Sequence, residues 1–174
     1  MAVSVQVLDD ASVYAMLKQI HPDTGITLKA VQQVAHFSNA AAHRLLSIGQ
    51  PVTVDALESA AVTSLVSGDN LLPLMLREGR RLIDINEQSA RKRDTAMYAR
   101  IENLQRVLGT DCNTAKFLYG MMAYLAEELL DLASDAARGA KCSRIKPCHV
   151  LHALSNDTGL AYVLQAFAID MSDS

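Results

Sequence analysis

Apolar residues recur every three or four positions along most of the chain, the spacing that gathers them on one face of an α-helix. From about Ala11 to Ile20 this predicts a short helix. It ends at His21-Pro22-Asp23-Thr24-Gly25, where proline disfavours helix at the residue before it and glycine allows a turn. Thr27 is placed to cap a longer helix. Its inward stripe is Val31, Val34, Phe37, Ala41, Leu45 and Ile48, and Gly49-Gln50-Pro51 stops it. Thr53 is placed to cap another short helix with Leu57, Ala61 and Leu65 inward. Ser67-Gly68-Asp69 breaks the pattern. A further helix then runs to about Ile85, with Pro73 tolerated only near its first turn.

Residues Asn86 to Thr95 are polar, carry no apolar stripe and read as a linker, able to span roughly 35 Å when extended. After it the pattern returns. A short helix covers about Ala96 to Leu108 and Gly109-Thr110-Asp111 breaks it. A long helix starts near Asn113 or Thr114, with Leu118, Met121, Leu125, Leu129, Leu132 and Ala136 on one face, and Gly139 ends it. Lys141 to Lys146 form a loop, Pro147 opens a short helix, and a last helical stretch lies between about Asp157 and Phe167. Each half is thus short helix, loop, long helix, loop, short helix, with a trailing helix: an internal duplication. The units are residues 1–85 and 96–174, joined by 86–95. One unit cannot bury both faces of its long helix alone. Two units can bury each other's, and joining them in one chain raises their effective concentration. Periodicity alone leaves any six-to-eight-helix bundle open.

Composition narrows the class. Half of the 174 residues are hydrophobic, a fifth are charged, and there are 8 Gly, 4 Pro and no Trp, which favours a packed helical core over disorder. No apolar run is long enough to cross a bilayer. The first ten residues hold two acids and no basic region, so a secretory signal is not expected and an intracellular protein is. Cys112, Cys142 and Cys148 are odd in number and contain no CxxC, which predicts free thiols. Cys142, Cys148 and His149 lack the fourth ligand and the spacing of a zinc site. With no glycine-rich phosphate loop, no HExxH and no coherent histidine set, neither an enzyme nor a cofactor nor a small-molecule substrate is expected. His21 and His149 fit packing or capping, and Met121-Met122 core filling.

Net charge is −3, which taken alone argues against nucleic acid, but the distribution is uneven. Ala136 to Asn156 holds Arg138, Lys141, Arg144 and Lys146 and no acid, and Arg91-Lys92-Arg93 forms a second basic cluster. Acids gather at Glu127, Glu128, Asp131 and Asp135. A phosphate responds to the local field rather than to the sum.

Specific residues then point to a family. Met16 to Ala30 (MLKQIHPDTGITLKA) resembles the first helix and first loop of histone 2B, and Arg77-Glu78-Gly79 resembles a segment of that histone's C-terminal helix. Tyr124 to His149 (YLAEELLDLASDAARGAKCSRIKPCH) is similar, without a gap, to the second helix, second loop and third-helix start of histone 2A, and His152 to Asp157 resembles the stretch that follows. The resemblance covers about residues 11 to 168. A 2B-like half followed by a 2A-like half looks like the fused histone doublets of giant DNA viruses of the marseillevirus group, in a shortened form. It implies an all-α fold of two tandem histone folds paired in an intramolecular handshake.

The resemblance also implies function and partners. Histones bind DNA through phosphate contacts and minor-groove arginines without base readout. The matching positions are Thr27, Lys29 and Thr53 in the first half and Arg100, Arg106, Lys141 and Arg144 in the second, with Arg144 on the minor-groove arginine. Glu128, Asp131, Asp157 and Glu78 match an acidic patch that receives arginine-bearing partners. Ala123, Thr158 and Gly159 replace other acids of that patch, and Glu127 and Asp135 read as a solvated face. The implied partners are double-stranded DNA, a histone 4–3 type doublet or histones 3 and 4, and histone chaperones, in a viral factory, virion or host nucleus. The alternative is a transcription-related module or chaperone decoy that does not wrap DNA. The chain departs from the family in a first long helix about two turns short and a second loop reduced to Gln50-Pro51-Val52-Thr53. Basic tails are missing, and little follows Ala168-Ile169-Asp170. These departures predict looser wrapping. Arg91, Lys92 and Arg93 have no counterpart and either touch DNA or solubilise the linker.

Overall fold

The computed structural model describes residues 5–65, 70–85 and 94–171. The predicted break at 67–69 and the linker bases Arg91, Lys92 and Arg93 lie outside them. Among the described residues there are eight helices: α1 (Asp10–Ile20), α2 (Leu28–Ile48), α3 (Val54–Ser64), α4 (Leu71–Asp84), α5 (Thr95–Leu108), α6 (Cys112–Gly139), α7 (Pro147–Asn156) and α8 (Thr158–Ala166). The all-α class stands. The one exception is a pair of two-residue strands, β1 (Gly25–Ile26) and β2 (Arg144–Ile145), inside segments read as loops.

Local chemistry explains where the helices start. Thr27 and Thr53 cap α2 and α3 by accepting the Ala30 and Ala56 backbone N–H groups at 3.4 and 3.2 Å. Asp9, Asp94, Asp111 and Asp157 do the same for α1, α5, α6 and α8. The Asp111 cap starts α6 at Cys112, slightly before the predicted start, and Asp94 makes Thr95 helical rather than linker. Gly109 ends α5 in the left-handed region, at φ 63°, where a side chain would be strained. Pro73 sits within the first turn of α4, where a missing N–H costs nothing.

The core forms around α6, which packs against α2, α4, α5 and α7. Val31, Val34, Phe37, Ala41 and Leu45 are buried as their spacing predicts, but Ile48, in the last turn of α2, is 51% exposed. Met121 and Met122 are fully buried filling. The most extensive helix pairing is α4 on α6, and two glycines permit it. A Cβ on Gly79 would lie 2.8 Å from the Phe117 ring, and one on Gly120 would lie 2.8 Å from the Glu78 carbonyl oxygen. The backbones meet there because neither carries a side chain.

Candidate nucleic-acid interface

β1 and β2 run parallel, with Gly25 beside Arg144 and Ile26 beside Ile145. The Gly25 N–H donates to the Ser143 carbonyl at 3.2 Å and the Thr27 N–H to the Ile145 carbonyl at 3.0 Å. Two loops far apart in sequence are thereby joined at the start of α2. Gly25 matters by its lack of a side chain: a Cβ there would come within 2.8 Å of the Arg144 side-chain stem. Lys18 shapes the same loop, donating to the Pro22 and Thr24 carbonyls at 2.8 and 3.0 Å.

Arg144, Lys141, Lys146 and Lys29 are all exposed, and among the described residues none of them forms an ion pair. The first turn of α2 contains no acid, and its cap Thr27 is neutral, so the positive end of its helix dipole is uncompensated. A helix N-terminus with a neutral cap, beside unpaired bases, is a place where phosphate is stabilised. Asp23 is the one acid in the joined loops.

The other predicted contacts lie apart from this end. At the opposite end the Thr110 hydroxyl donates to the Val52 carbonyl at 2.9 Å. Thr53 and Arg106 lie near that junction, exposed, with Arg106 donating to the Asn103 side chain at 2.6 Å. Arg100 has a different employment. Its guanidinium donates to both Asp9 carboxylate oxygens at 2.9 and 3.0 Å, tying α5 to the cap of α1. Burial pushes the Asp9 carboxyl up, but hydrogen bonds from Ser12 and Arg100 outweigh it and hold the group below its ordinary value.

The four predicted acidic-patch residues are each engaged within the chain. Arg77 and Arg81 flank Glu78 as ion pairs. Glu128 accepts the Tyr124 hydroxyl at 3.3 Å, and burial followed by the Glu128 charge pushes that phenol up to about 12. Asp131 faces His21 at 2.7 Å, and Asp157 caps α8. Glu78 and Glu128 both act on Tyr124 and so lie together, whereas Asp157 lines a separate groove between α6 and α7. His149 accepts the Lys146 N–H at 3.1 Å, the capping role expected of it. The reading of Glu127 as a solvated face is overturned: it is half-buried in a cavity, and burial together with the Glu78 charge raises its carboxyl. Helical spacing could not reveal this, because the burial comes from α4 and α5 closing over α6.

No family model matches the chain. Part of it is similar to plant histones: it is 47% identical over 53 residues to histone H2A.1 of Solanum lycopersicum, covering 30% of this chain and 36% of that protein. It is 45% identical over 53 residues to the probable histone H2A.4 of Arabidopsis thaliana, covering 30% and 35%. The probable histone H2A.1 of Medicago truncatula is also 45% identical over 53 residues, covering 30% and 36%. The chain spans about a third of the length of these relatives. With eight helices built around one long central helix in each half, this similarity identifies the all-α architecture as a histone fold.

Proposed function

We propose that the chain is a structural DNA-packaging subunit that binds phosphates and the minor groove without sequence specificity. In this reading residues 1–85 are a histone 2B-like fold and 96–174 a histone 2A-like fold, paired within one polypeptide as in a giant-virus histone doublet. It would join a histone 4–3 type doublet, or histones 3 and 4, on double-stranded DNA in a viral factory, virion or host nucleus. The role is architectural, without catalysis or cofactor.

The observation that carries this reading is the β1–β2 junction, where Arg144, Lys141 and Lys29 remain unpaired around the acid-free start of α2. Arg100 is left out of the DNA set because Asp9 holds it. A second reading, a histone-fold module that captures chaperones or transcription partners without wrapping DNA, is favoured by the net charge of −3 and by carboxylate caps on four helices.

Reconstitution with a histone 4–3 type doublet on a long DNA fragment, followed by nuclease digestion, separates the two. A discrete protected band that disappears in the Lys141→Ala/Arg144→Ala variant supports packaging. A smear with the chain left unbound supports the capture module instead.

A further inference from the structure

The outer face of α2 meets the turn after α8 in a cleft of about 510 Å³. His36 and His43 lie two helical turns apart on that face, and Arg44 stands beside them. In the opposite wall Ala168 takes the left-handed region, at φ 48°, which an L residue adopts only at a cost. Both sides of this turn are held from α2. Arg44 Nε donates to the Phe167 carbonyl at 2.9 Å, and His36 Nε2 donates to the Asp170 carbonyl at 2.8 Å. A carbonyl can only accept, so His36 Nε2 carries a proton.

These bonds use one nitrogen of Arg44 and one of His36. The two terminal guanidinium nitrogens, His36 Nδ1 and both ring nitrogens of His43 have no partner among the described residues. No ion pair neutralises Arg44 there either. Asp170 is the one acid among the described wall residues. The cleft therefore gathers donors and positive charge that the fold itself does not consume.

We propose that this cleft binds a phosphate group, with the Arg44 guanidinium as counter-ion and His43 as a further donor. The terminal nitrogens of a guanidinium form a planar fork that matches two phosphate oxygens. The bond from Nε to Phe167 fixes the plane of that fork, so little side-chain freedom is lost when the anion arrives. His43 donates through one ring N–H when neutral and through both when protonated. A carboxylate has only two oxygens and is filled by the fork alone, whereas a phosphate has oxygens left for His43. A metal ion fits poorly: the guanidinium repels it, and among the described residues no group of three His, Cys, Asp or Glu could hold one. His36 and Arg44 lie about 12 and 24 Å along the α2 axis from Leu28, at about 1.5 Å per residue. The inference is thus independent of the DNA reading of the β1–β2 junction.

The test is NMR of the full chain labelled at histidine, titrated with inorganic phosphate at fixed pH against chloride of matched ionic strength. The chain has five histidines, and three lie elsewhere: His21 faces Asp131, His149 accepts the Lys146 N–H, and His152 bonds Asn156. The expected result is a saturable shift of His36 and His43 alone. Arg44→Gln should weaken it about tenfold, the loss expected for charged hydrogen bonds. His43→Gln, at a residue that bonds nothing in the fold, should weaken the His36 response with an unchanged melting temperature. A short DNA duplex added at saturation separates the sources: loss of the phosphate response identifies a backbone phosphate, and its persistence identifies free phosphate or a small ester. Unmoved His36 and His43 signals, a shift shared by all the histidines, an unaffected Arg44→Gln titration, or an equal response to acetate would each overturn the assignment.

Discussion

At one end of the molecule Gly25-Ile26 lies beside Arg144-Ile145; at the other the Val52 carbonyl meets the Thr110 hydroxyl. Both ends join a loop of the first half to a loop of the second, and both place a threonine cap at the start of a helix of the first half. Their electrostatics differ. The first end holds Lys29, Lys141, Arg144 and Lys146 against Asp23, and α2 begins without an acid. The second holds Arg106 against Asp55 and Asp111. There the long helix α6 starts under a carboxylate that Thr114 hydrogen bonds hold below its ordinary value, so it stays charged. A negative cap compensates the helix dipole that a phosphate would otherwise use. The scaffold that joins two loops and the charge proposed to bind DNA are therefore separable. This chain keeps the scaffold at both ends and concentrates the charge at one.

The lengths tell a parallel story. α6 has 28 residues and α2 has 21, a difference of about two turns at 3.6 residues per turn. The shorter helix is followed directly by the reduced Gln50 to Thr53 segment, so the second end is both the less basic and the more abbreviated.

The comparison is most exposed to DNA binding at graded salt. Each phosphate-contacting base adds about one unit to the slope of log affinity against log salt. Lys141→Ala/Arg144→Ala should lower that slope by about two units, and Thr53→Ala/Arg106→Ala by less than about half a unit. Equal losses at the two ends would break the asymmetry. Next in size is Gly25→Val, whose Cβ would collide with the Arg144 stem; overpacking of this kind costs about 1–3 kcal/mol and should lower DNA affinity as well. Thr110→Val at the other end removes one hydrogen bond. It should cost about 1 kcal/mol in chemical denaturation and leave DNA affinity unchanged.

The smallest effects are those of pH. Glu127 is raised in the fold, so the stability tied to it is fully present below its ordinary value of 4.5 and lost as pH rises through its folded value. Glu127→Gln should therefore melt higher than the parent at pH 7, with the gain vanishing below about pH 4. Asp9 is lowered, so its contribution is present above its ordinary value of 3.8 and lost as pH falls. Asp9→Asn should be destabilising at pH 7 and nearly neutral in strong acid, which thermal melts at several pH values will show.

Much of this was legible in the chain of residues. Capping is local: a Thr or Asp reaches an N–H three residues on, so Thr27 and Thr53 could be placed without tertiary information. The stripes of α2 and α6 follow from helical periodicity alone, and Ile48 alone departs from the α2 stripe, 51% exposed in the last turn where Leu45 stays buried. The candidate bases were legible as residue types, but their availability was not. Arg100 and Arg144 read alike in sequence. One is held by Asp9, 91 positions away, and the other is free.

The residue pattern by itself determined the helices and their caps, because those depend on neighbours three or four positions apart. Only the tertiary structure decided which charges are neutralised and which remain available. The partners that matter — Asp9 for Arg100, Asp131 for His21, the α4 and α5 walls around Glu127 — come from elements distant in sequence. Burial and Coulomb interaction act through space, and local pattern carries no record of either.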